Sequence, residues 1–340
     1  MPETMRAILC KNPRELEIVE RPVPQRKPGE ALVRIRRIGV CGTDMHIYQG
    51  NQPYFAYPRV MGHELSGEIA EAEKGSSLKP GDAVYIVPYL HCGNCIACRV
   101  GRTNCCTSLK VLGVHIDGGM CEYLSLPETH LFKADGITLD EAAMVEFLAI
   151  GAHAVARAKV SRGQRALVVG AGPIGVGVAI FARLQGAEVT VIDGRADRLR
   201  FAKDVLGVPH AVGLGEGDAD QLRTLTEGDF YSHVFDCTGS PKAMERGFSL
   251  VAHAGTYVLV SIVQGNISFS DPDFHKREMT LLSSRNATLT DFATVMTAMR
   301  EGHVPTRAIK THSAPLWEVG TKMPEWIRPE AGTVKAVLEV

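Results

Sequence analysis

The chain has 340 residues, of which 45% are hydrophobic and 22% are charged, so its length suits about two globular domains. Lys and Arg together number 37 and Asp and Glu 38, which gives a net charge of −1 and argues against a nucleic-acid or membrane partner. No basic segment followed by an apolar one opens the sequence, so we expect a cytoplasmic protein without a secretory signal. Most of the nine cysteines fall between Cys92 and Cys106, which favours a metal or catalytic role over disulfides.

The first third of the chain carries short apolar segments separated by turn residues, a pattern typical of a β-rich domain. The predicted strands cover residues 6–10, 16–19, 31–38, 67–72 and 83–87. Loops dominate residues 88–119, and the apolar periodicity of residues 141–158 then predicts one helix.

Strand and helix patterns alternate from residue 165 to residue 283. This alternation predicts an α/β Rossmann domain, a doubly wound parallel sheet with helices on both faces. Beyond it we expect one helix over residues 290–301 and a terminal strand over residues 334–340.

A glycine-rich motif joins the first strand of that domain to its first helix. It reads G-x-G-x-x-G and consists of Gly170, Ala171, Gly172, Pro173, Ile174 and Gly175. Backbone amides and the helix dipole at such a turn can hold a pyrophosphate, so the motif predicts a dinucleotide site.

Asp193 ends the second strand of the same domain, at the distance from the motif where a carboxylate can bind the ribose hydroxyls of NAD. A carboxylate there repels a 2′-phosphate, so NAD is favoured over NADP. Arg198, which we also place at the cofactor, and Arg195 keep NADP open as an alternative.

A cysteine-rich loop has the spacing C-x2-C-x2-C-x7-C, formed by Cys92, Cys95, Cys98 and Cys106. Four thiolates can close a tetrahedral shell, which suits a structural zinc ion. An iron–sulfur cluster is the rival, but the x3-C-P ending of ferredoxin motifs is absent from the sequence. Spacing alone allows either Cys105 or Cys106 as the fourth ligand.

A second candidate metal site is scattered along the β-rich domain, where Cys41, His46, His63 and Glu64 supply a thiol, two imidazoles and a carboxylate. His63 and Glu64 are adjacent, so on a regular strand their side chains would lie on opposite faces. Both side chains can bind one metal ion only if the two residues lie at a turn. Otherwise one of them binds the ion and the other holds a ligand in place. From the residues alone, a metal site and ordinary core or surface positions are equally supported.

Five segments together resemble the zinc-dependent medium-chain dehydrogenases/reductases, of the alcohol, sorbitol and threonine dehydrogenase type. They read VCGTDMH, GHELSG, CGNCIAC, MVEFLAIGAHA and VVGAGPIG, and they occur in the family's order over nearly the whole chain. The resemblance implies a GroES-like catalytic domain over residues 1–149 and 286–340, and a Rossmann NAD domain over residues 150–285. It also implies a homodimer or homotetramer.

The resemblance implies two zinc ions per chain. Cys41, His63 and Glu146 would hold the catalytic ion, with Glu64 as an alternative or exchanging ligand. Glu146 also interrupts an apolar helical segment, where a buried carboxylate needs a partner that a cation would supply. At the structural ion, the resemblance selects Cys106 over Cys105.

The resemblance further implies a proton path for alcohol oxidation. Thr43 would take the proton of the substrate hydroxyl and pass it through the cofactor ribose to His46. The alternative for His46 is an ordinary surface imidazole.

Within the family, four segments resemble those of bacterial dehydrogenases of sugar acids, which oxidise L-galactonate or L-gulonate at C5. The segments read NQPYFAYPRVMGHE, GVHIDGGM, SDPDFHKRE and SSRNAT. Such a small polyhydroxylated substrate needs a cation for its carboxylate, which Arg285 with Asn286 could supply, while His115 or Tyr54 could line the entrance. An interdomain or intersubunit salt bridge is an equal alternative for Arg285.

The sequence is also compatible with other substrates and with one other class of protein. The alternative substrates are polyols such as sorbitol, galactitol or butanediol, and L-threonine. A non-catalytic NAD-binding zinc scaffold or sensor is the rival from another class, although the intact set of candidate catalytic residues argues against it. The two ligand sets exclude a zinc-free quinone reductase.

Overall fold

The computed structural model describes residues 2–340. Contacts divide the chain into two compact units. The first unit runs up to Glu146 and resumes over Met296–Val340, and the second is Phe147–Val295. The domain boundaries expected at 149/150 and 285/286 stay a prediction.

The strands, in chain order, are β1 (Thr4–Asn12), β2 (Glu15–Pro22), β3 (Glu30–Val40), β4 (Arg59–Val60), β5 (Glu64–Glu71), β6 (Ala83–Ile86), β7 (Tyr89–Leu90), β8 (Lys110–Val111), β9 (Tyr123–Pro127), β10 (Leu131–Lys133), β11 (Arg165–Val169), β12 (Glu188–Asp193), β13 (His210–Gly213), β14 (Tyr231–Asp236), β15 (Val251–Leu259), β16 (Thr280–Ser283), β17 (Lys310–Pro315) and β18 (Lys335–Glu339). The helices are α1 (Gly42–Gln49), α2 (Ile96–Arg99), α3 (Leu139–Ala142), α4 (Val145–Ala158), α5 (Pro173–Leu184), α6 (Ala196–Asp204), α7 (Asp218–Leu225), α8 (Pro241–Gly247), α9 (Asp271–Lys276), α10 (Leu289–Arg300), α11 (Thr306–Ile309) and α12 (Val319–Trp326). Every helix within residues 2–340 is too short or too polar to span a bilayer.

The first unit is built on an antiparallel sheet around β3, with the order β10-β6-β5-β3-β18-β17 and with β9 also on β3. Alternate apolar side chains of β3 enter a core that includes Ile8, Ile38 and Leu65. Gly39 of β3 pairs with Glu64 of β5, and Val40 pairs with Ala336 of β18. The C-terminal strand and the start of β5 therefore flank the same end of β3.

The second unit is a parallel sheet in the order β13-β12-β11-β14-β15-β16. Its inner strands are nearly continuous apolar runs, which suits a sheet covered by helices on both faces. Pro173 begins α5, where its fixed backbone angle favours the first helical turn. The predicted α/β Rossmann fold is confirmed.

Two local predictions were wrong. The single helix expected over residues 141–158 is two helices, because α3 is one turn opened by a Thr138–Glu141 capping box and closed by an early Met144 N–H bond to Glu141. The last part of the chain contains β17 and α12 in addition to the predicted helix and strand. Their apolar periodicity is interrupted by Pro315, Gly320 and Pro324, which hid them in the sequence.

Candidate active site

Cys41 lies at the N-terminus of α1, so the start of a helix fixes its position. The buried Asp44 fixes this end of the helix, because its carboxylate accepts hydrogen bonds from Cys41 N (2.9 Å) and from Gly62 N (3.2 Å). Asp44 thereby joins the segment that carries Cys41 to the one that carries His63. Sequence reasoning missed this role, although Asp44 lies within the VCGTDMH motif.

The side chains of Cys41, His63 and Glu64 meet in the first unit, with one ligand atom from each within 4.8 Å of the others. His63 precedes β5, just after Gly62, whose φ of 93° makes a turn that favours glycine. The turn lets two adjacent residues face one point. All three side chains are buried.

Glu64 is held by a buried ion pair. Lys335 Nζ lies 2.7 Å and 2.8 Å from the two carboxylate oxygens, and it also donates to Val40 O at 3.3 Å. A Cβ on Gly39 would lie 2.1 Å from Glu64 Oε2, so only glycine leaves room for this carboxylate. No sequence motif points to this role of Lys335 or Gly39.

Glu146 lies in the first turn of α4 and is buried. The hydroxyl of Tyr89 donates a hydrogen bond to its Oε1, whereas Oε2 is buried and has no hydrogen-bond partner among residues 2–340. Burial, opposed by the charge of His63, raises the pKa of Glu146 to about 7. The structure does not include Glu146 in the close group of three, but it places this carboxylate near enough for its charge to act on His63.

The electrostatics of this site favour a cation. Burial lowers the pKa of His63, but the adjacent Cys41 and Asp44 outweigh it and raise that pKa well above its ordinary value. Carboxylates and a thiol outnumber the one buried lysine here, and Glu146 Oε2 lacks a partner. Thiolate, imidazole and carboxylate are the donors of catalytic zinc sites, so these residues fit zinc.

Thr43 and His46 both lie on α1, three residues apart and therefore on one face of the helix. His46 is exposed, and its Nδ1 lies 3.0 Å from Asn51 Oδ1. An exposed imidazole is suited to exchange a proton with solvent.

The four-cysteine loop of the first unit brings together the sulfurs of Cys92, Cys95, Cys98 and Cys106 within 4.8 Å of one another. Backbone N–H groups of Thr107 and Cys98 lower the pKa of Cys95 to about 5, whereas burial raises that of Cys98 to about 12. A cation among the sulfurs would favour the thiolate form of all four. Cys105 is exposed and lies outside the group.

The Cys106→Ser variant is expected to contain one zinc ion fewer per chain than the wild type, and to unfold at a lower temperature, because a closed four-sulfur shell contributes directly to folding. The neighbouring Cys105→Ser is the matched control and should change neither quantity. Metal analysis and thermal unfolding measure the two effects. Equal zinc content in all three proteins would contradict the assignment.

The glycine-rich turn of the second unit is close-packed on one side and open on the other. A Cβ on Gly175 would lie 1.9 Å from Gly170 O, so glycine lets α5 pack on the turn. A Cβ on Gly172 would meet only Arg198, at 3.7 Å or more. Gly172 therefore leaves space beside the N-terminus of α5, where a phosphate group fits.

Asp193 closes this turn, because its carboxylate accepts hydrogen bonds from Ala171 N (2.7 Å) and Arg195 N (2.8 Å). It lines a cavity of about 500 Å³ together with Arg198, Leu214 and Thr238. Arg198 Nη1 lies 3.5 Å from Asp193 Oδ2. An apolar cavity with an acidic and a basic group at its edge suits an adenine and its ribose.

The residues expected at the substrate lie in different places. Tyr54 and His115, in the first unit, stack with ring centroids 6.2 Å apart. In the second unit, Arg285 is exposed, and Asn286 has a positive φ of 51°. The Asn286 Nδ2 atom is buried and has no hydrogen-bond partner in the described part of the chain.

A nucleotide-type parallel sheet in one unit and two metal-ligand groups in the other define a metal-dependent dehydrogenase. Residues 27–136 match the family of the alcohol dehydrogenase GroES-like domain, and residues 173–301 match the zinc-binding dehydrogenase family. The chain is 45% identical to L-galactonate-5-dehydrogenase of Escherichia coli K12 over 92% of each chain. It therefore belongs to the zinc-dependent medium-chain dehydrogenases/reductases and is an oxidoreductase.

Two further similarities extend over most of the chain. Sorbitol dehydrogenase of Bacillus subtilis is 32% identical over 78% of this chain and 77% of its own. The crystal structure of the alcohol dehydrogenase RspB from Escherichia coli CFT073, complexed with NADH, superposes with a TM-score of 0.93 at 28% identity and covers 100% of both chains.

Proposed function

We propose that this enzyme is a zinc- and NAD-dependent dehydrogenase of sugar acids, which oxidises a secondary alcohol at C5 of L-galactonate or L-gulonate. The 45% identity to an L-galactonate-5-dehydrogenase over 92% of both chains carries the proposal. Two further observations support it. The first unit contains both groups of candidate zinc ligands, and the second contains a cavity that suits NAD.

Cys41, His63 and Glu146 would hold the catalytic zinc, with Glu64, which lies in the close group with Cys41 and His63, as the alternative ligand. Cys92, Cys95, Cys98 and Cys106 would hold the structural zinc. When bound, zinc lowers the pKa of a substrate hydroxyl and NAD accepts a hydride at its nicotinamide ring.

Thr43 takes the hydroxyl proton, and the exposed His46 releases it to solvent. While it is paired with Lys335, Glu64 would contribute negative charge to the metal site without binding the ion. Removal of the proton leaves the substrate oxygen negative, which favours departure of a hydride from the carbon that bears it.

In the second unit, Gly170, Gly172, Pro173, Ile174 and Gly175 form the turn that holds the pyrophosphate. Asp193 binds the adenosine ribose of NAD, and Arg198 lies beside it.

Replacing Asp193 by serine is expected to raise KM for NAD roughly 10- to 100-fold, the effect of losing charged hydrogen bonds. The same change should lower KM for NADP, because it removes the carboxylate that repels a 2′-phosphate near Arg198 and Lys242. Asp197→Ser is the matched control, since Asp197 forms an ion pair with Arg195 (2.6 Å) in the next turn. Steady-state kinetics with both cofactors measure the preference, and an unchanged ratio for Asp193→Ser would contradict this role.

Arg285 is the cation proposed for the substrate carboxylate, Asn286 a donor for a hydroxyl, and Tyr54 and His115 the aromatic lining of the entrance. A guanidinium group binds a carboxylate through paired hydrogen bonds. The Arg285→Gln variant should therefore raise KM for L-galactonate while leaving KM for NAD unchanged.

The test of the function is NADH formation with L-galactonate and L-gulonate beside sorbitol, galactitol, butanediol and L-threonine, each with and without a zinc chelator. Turnover that is confined to the hexonates and abolished by the chelator supports the proposal. Turnover on a polyol or on L-threonine would replace the substrate but keep the zinc chemistry. NAD binding without turnover on any of them would favour a non-catalytic scaffold.

We also propose that the enzyme acts in the cytoplasm as a homodimer or homotetramer. The edge strand β16 of the parallel sheet supports an assembly, because it is unpaired on its outer side in the described chain and Leu281 on it is 36% exposed. Light scattering on the purified protein measures the mass, and a monomer at micromolar concentration would contradict the proposal.

A further inference from the structure

The two glutamates near Cys41 and His63 are held in different ways. Both oxygens of Glu64 accept hydrogen bonds from the buried Lys335. Glu146 has a donor on one oxygen only, the hydroxyl of Tyr89 on Oε1, and no partner on the buried Oε2 within residues 2–340. A buried carboxylate oxygen without a donor is costly, so this asymmetry leaves one atom of Glu146 available for a cation.

We propose that Tyr89 is a positioning residue for the catalytic metal: its hydroxyl holds Oε1 of Glu146 and so presents Oε2 to the ion. The proposal rests on the metal site described under the proposed function. A carboxylate can rotate between its two oxygens and can bind a metal through one or both. A fixed donor on one oxygen selects single-oxygen binding by the other and restricts the rotation.

Tyr89 is well placed for this role, because its own position is fixed at several points. It lies on β7, which pairs with β8 through Tyr89 and Val111. The carbonyl oxygen of Tyr89 accepts from His130 Nε2 (3.3 Å) and lies 3.4 Å from His91 Nδ1. Its side chain is buried, with 4% of its surface exposed.

The same two strands flank the four-cysteine loop in the sequence. β7 ends just before Cys92, and β8 begins shortly after Cys106, so their pairing closes the base of that loop. The four sulfurs of the loop lie within 4.8 Å of one another, so a bound metal ion would tie the loop together. A loop closed by a metal ion would fix the strand from which Tyr89 reaches Glu146, and Tyr89 connects the two ligand groups of the first unit.

The test compares Tyr89→Phe with the matched control Tyr85→Phe. Tyr85 is also buried in the first unit, on β6, where its ring stacks on Phe132 with centroids 5.5 Å apart. Zinc retention is measured by dialysis against graded chelator, without substrate. Loss of the partner of a metal ligand typically weakens metal binding about 10- to 100-fold, so we expect one of the two zinc ions of Tyr89→Phe to dissociate that much more readily. Tyr85→Phe should retain both ions as the wild type does.

Two further measurements separate positioning from a general loss of stability. The visible absorption of the cobalt-substituted protein should change for Tyr89→Phe, since the coordination geometry at Cys41 changes, and should not change for Tyr85→Phe. In the Glu146→Ala background, Tyr89→Phe should cause no further loss of zinc. Wild-type zinc retention and an unaltered cobalt spectrum in Tyr89→Phe would overturn the proposal, as would an additional loss in the Glu146→Ala background.

These measurements test the role of Tyr89 separately from the proposed function. Zinc retention needs neither NAD nor a sugar acid, so a wrong substrate leaves the result intact. If Cys41→Ser contains as much zinc as the wild type, the metal site itself is wrong and the role of Tyr89 is overturned with it.

Discussion

Replacing Lys335 by methionine is expected to lower the free energy of unfolding of the first unit by about 3–5 kcal/mol, the effect of removing one partner of a buried ion pair. Lys335 is 1% exposed and Glu64 is fully buried, and Lys335 Nζ lies 2.7 Å and 2.8 Å from the two carboxylate oxygens. Without the lysine, the carboxylate would remain buried with its charge uncompensated. The apolar side chain of methionine fills similar space, so the decrease in the free energy of unfolding reports mainly the uncompensated charge of Glu64.

The chain offers a direct way to measure this effect. Both of its tryptophans, Trp317 and Trp326, belong to the same unit as Lys335, so tryptophan fluorescence during urea unfolding reports that unit. The double variant Lys335→Met/Glu64→Gln should recover a large part of the loss, because it also removes the buried charge. Lys322→Met breaks an exposed pair with Glu325 (3.3 Å) and should cost less than about 1 kcal/mol. A similar small cost for Lys335→Met would show that the ion pair does not stabilise the fold.

The Cys41→Ser variant is expected to lose the catalytic zinc and to have a kcat/KM lower by about a thousandfold or more. A metal that polarises the substrate oxygen supplies several kcal/mol of transition-state stabilisation, and each 1.4 kcal/mol, roughly, is a factor of ten in rate. A serine hydroxyl is a poorer zinc ligand than a thiolate, so two protein ligands at this site would hold the ion weakly. His63 and Glu146 would remain in place.

Zinc analysis and kinetics with the oxidisable sugar acid measure the two effects together. Cys105→Ser removes an exposed thiol outside both ligand groups and should keep both the metal and the activity. The Cys41→Ser protein should keep its structural zinc and the melting temperature that depends on it. Full activity in Cys41→Ser would show that the reaction does not use this site.

Sites formed by one continuous segment could be predicted from the sequence. The glycine-rich turn follows an apolar strand and opens a helix, so its context is visible within a short stretch. The four cysteines of the loop lie in one segment, and their spacing by itself indicates a tetrahedral site. Asp193 could be predicted in the same way, because the acidic residue of a dinucleotide site ends the second strand, roughly twenty residues after the glycine-rich turn.

The metal ligands around Cys41 could not be predicted from their spacing in the sequence alone. From the residues alone, His63 and Glu64 would lie on opposite faces of a strand, and only the resemblance to a family joined them to Glu146. The structure shows how the two adjacent residues meet, since His63 lies in the turn before β5 and not on the strand itself. It also divides the predicted helix in two, so Glu146 stands in the first turn of a new helix instead of the middle of a long one.

The amino-acid sequence alone determined the class of fold, the nucleotide turn and the four-cysteine loop, because each depends on neighbours along the chain. The partners that hold the catalytic carboxylates were decided only by tertiary structure. Lys335 reaches Glu64 because β18 and β5 pair with the same end of β3. Tyr89 on β7 reaches Glu146, 57 residues further along the chain, within the first unit. Strand register brings together residues that are far apart in the sequence, and no local pattern records which of them will meet.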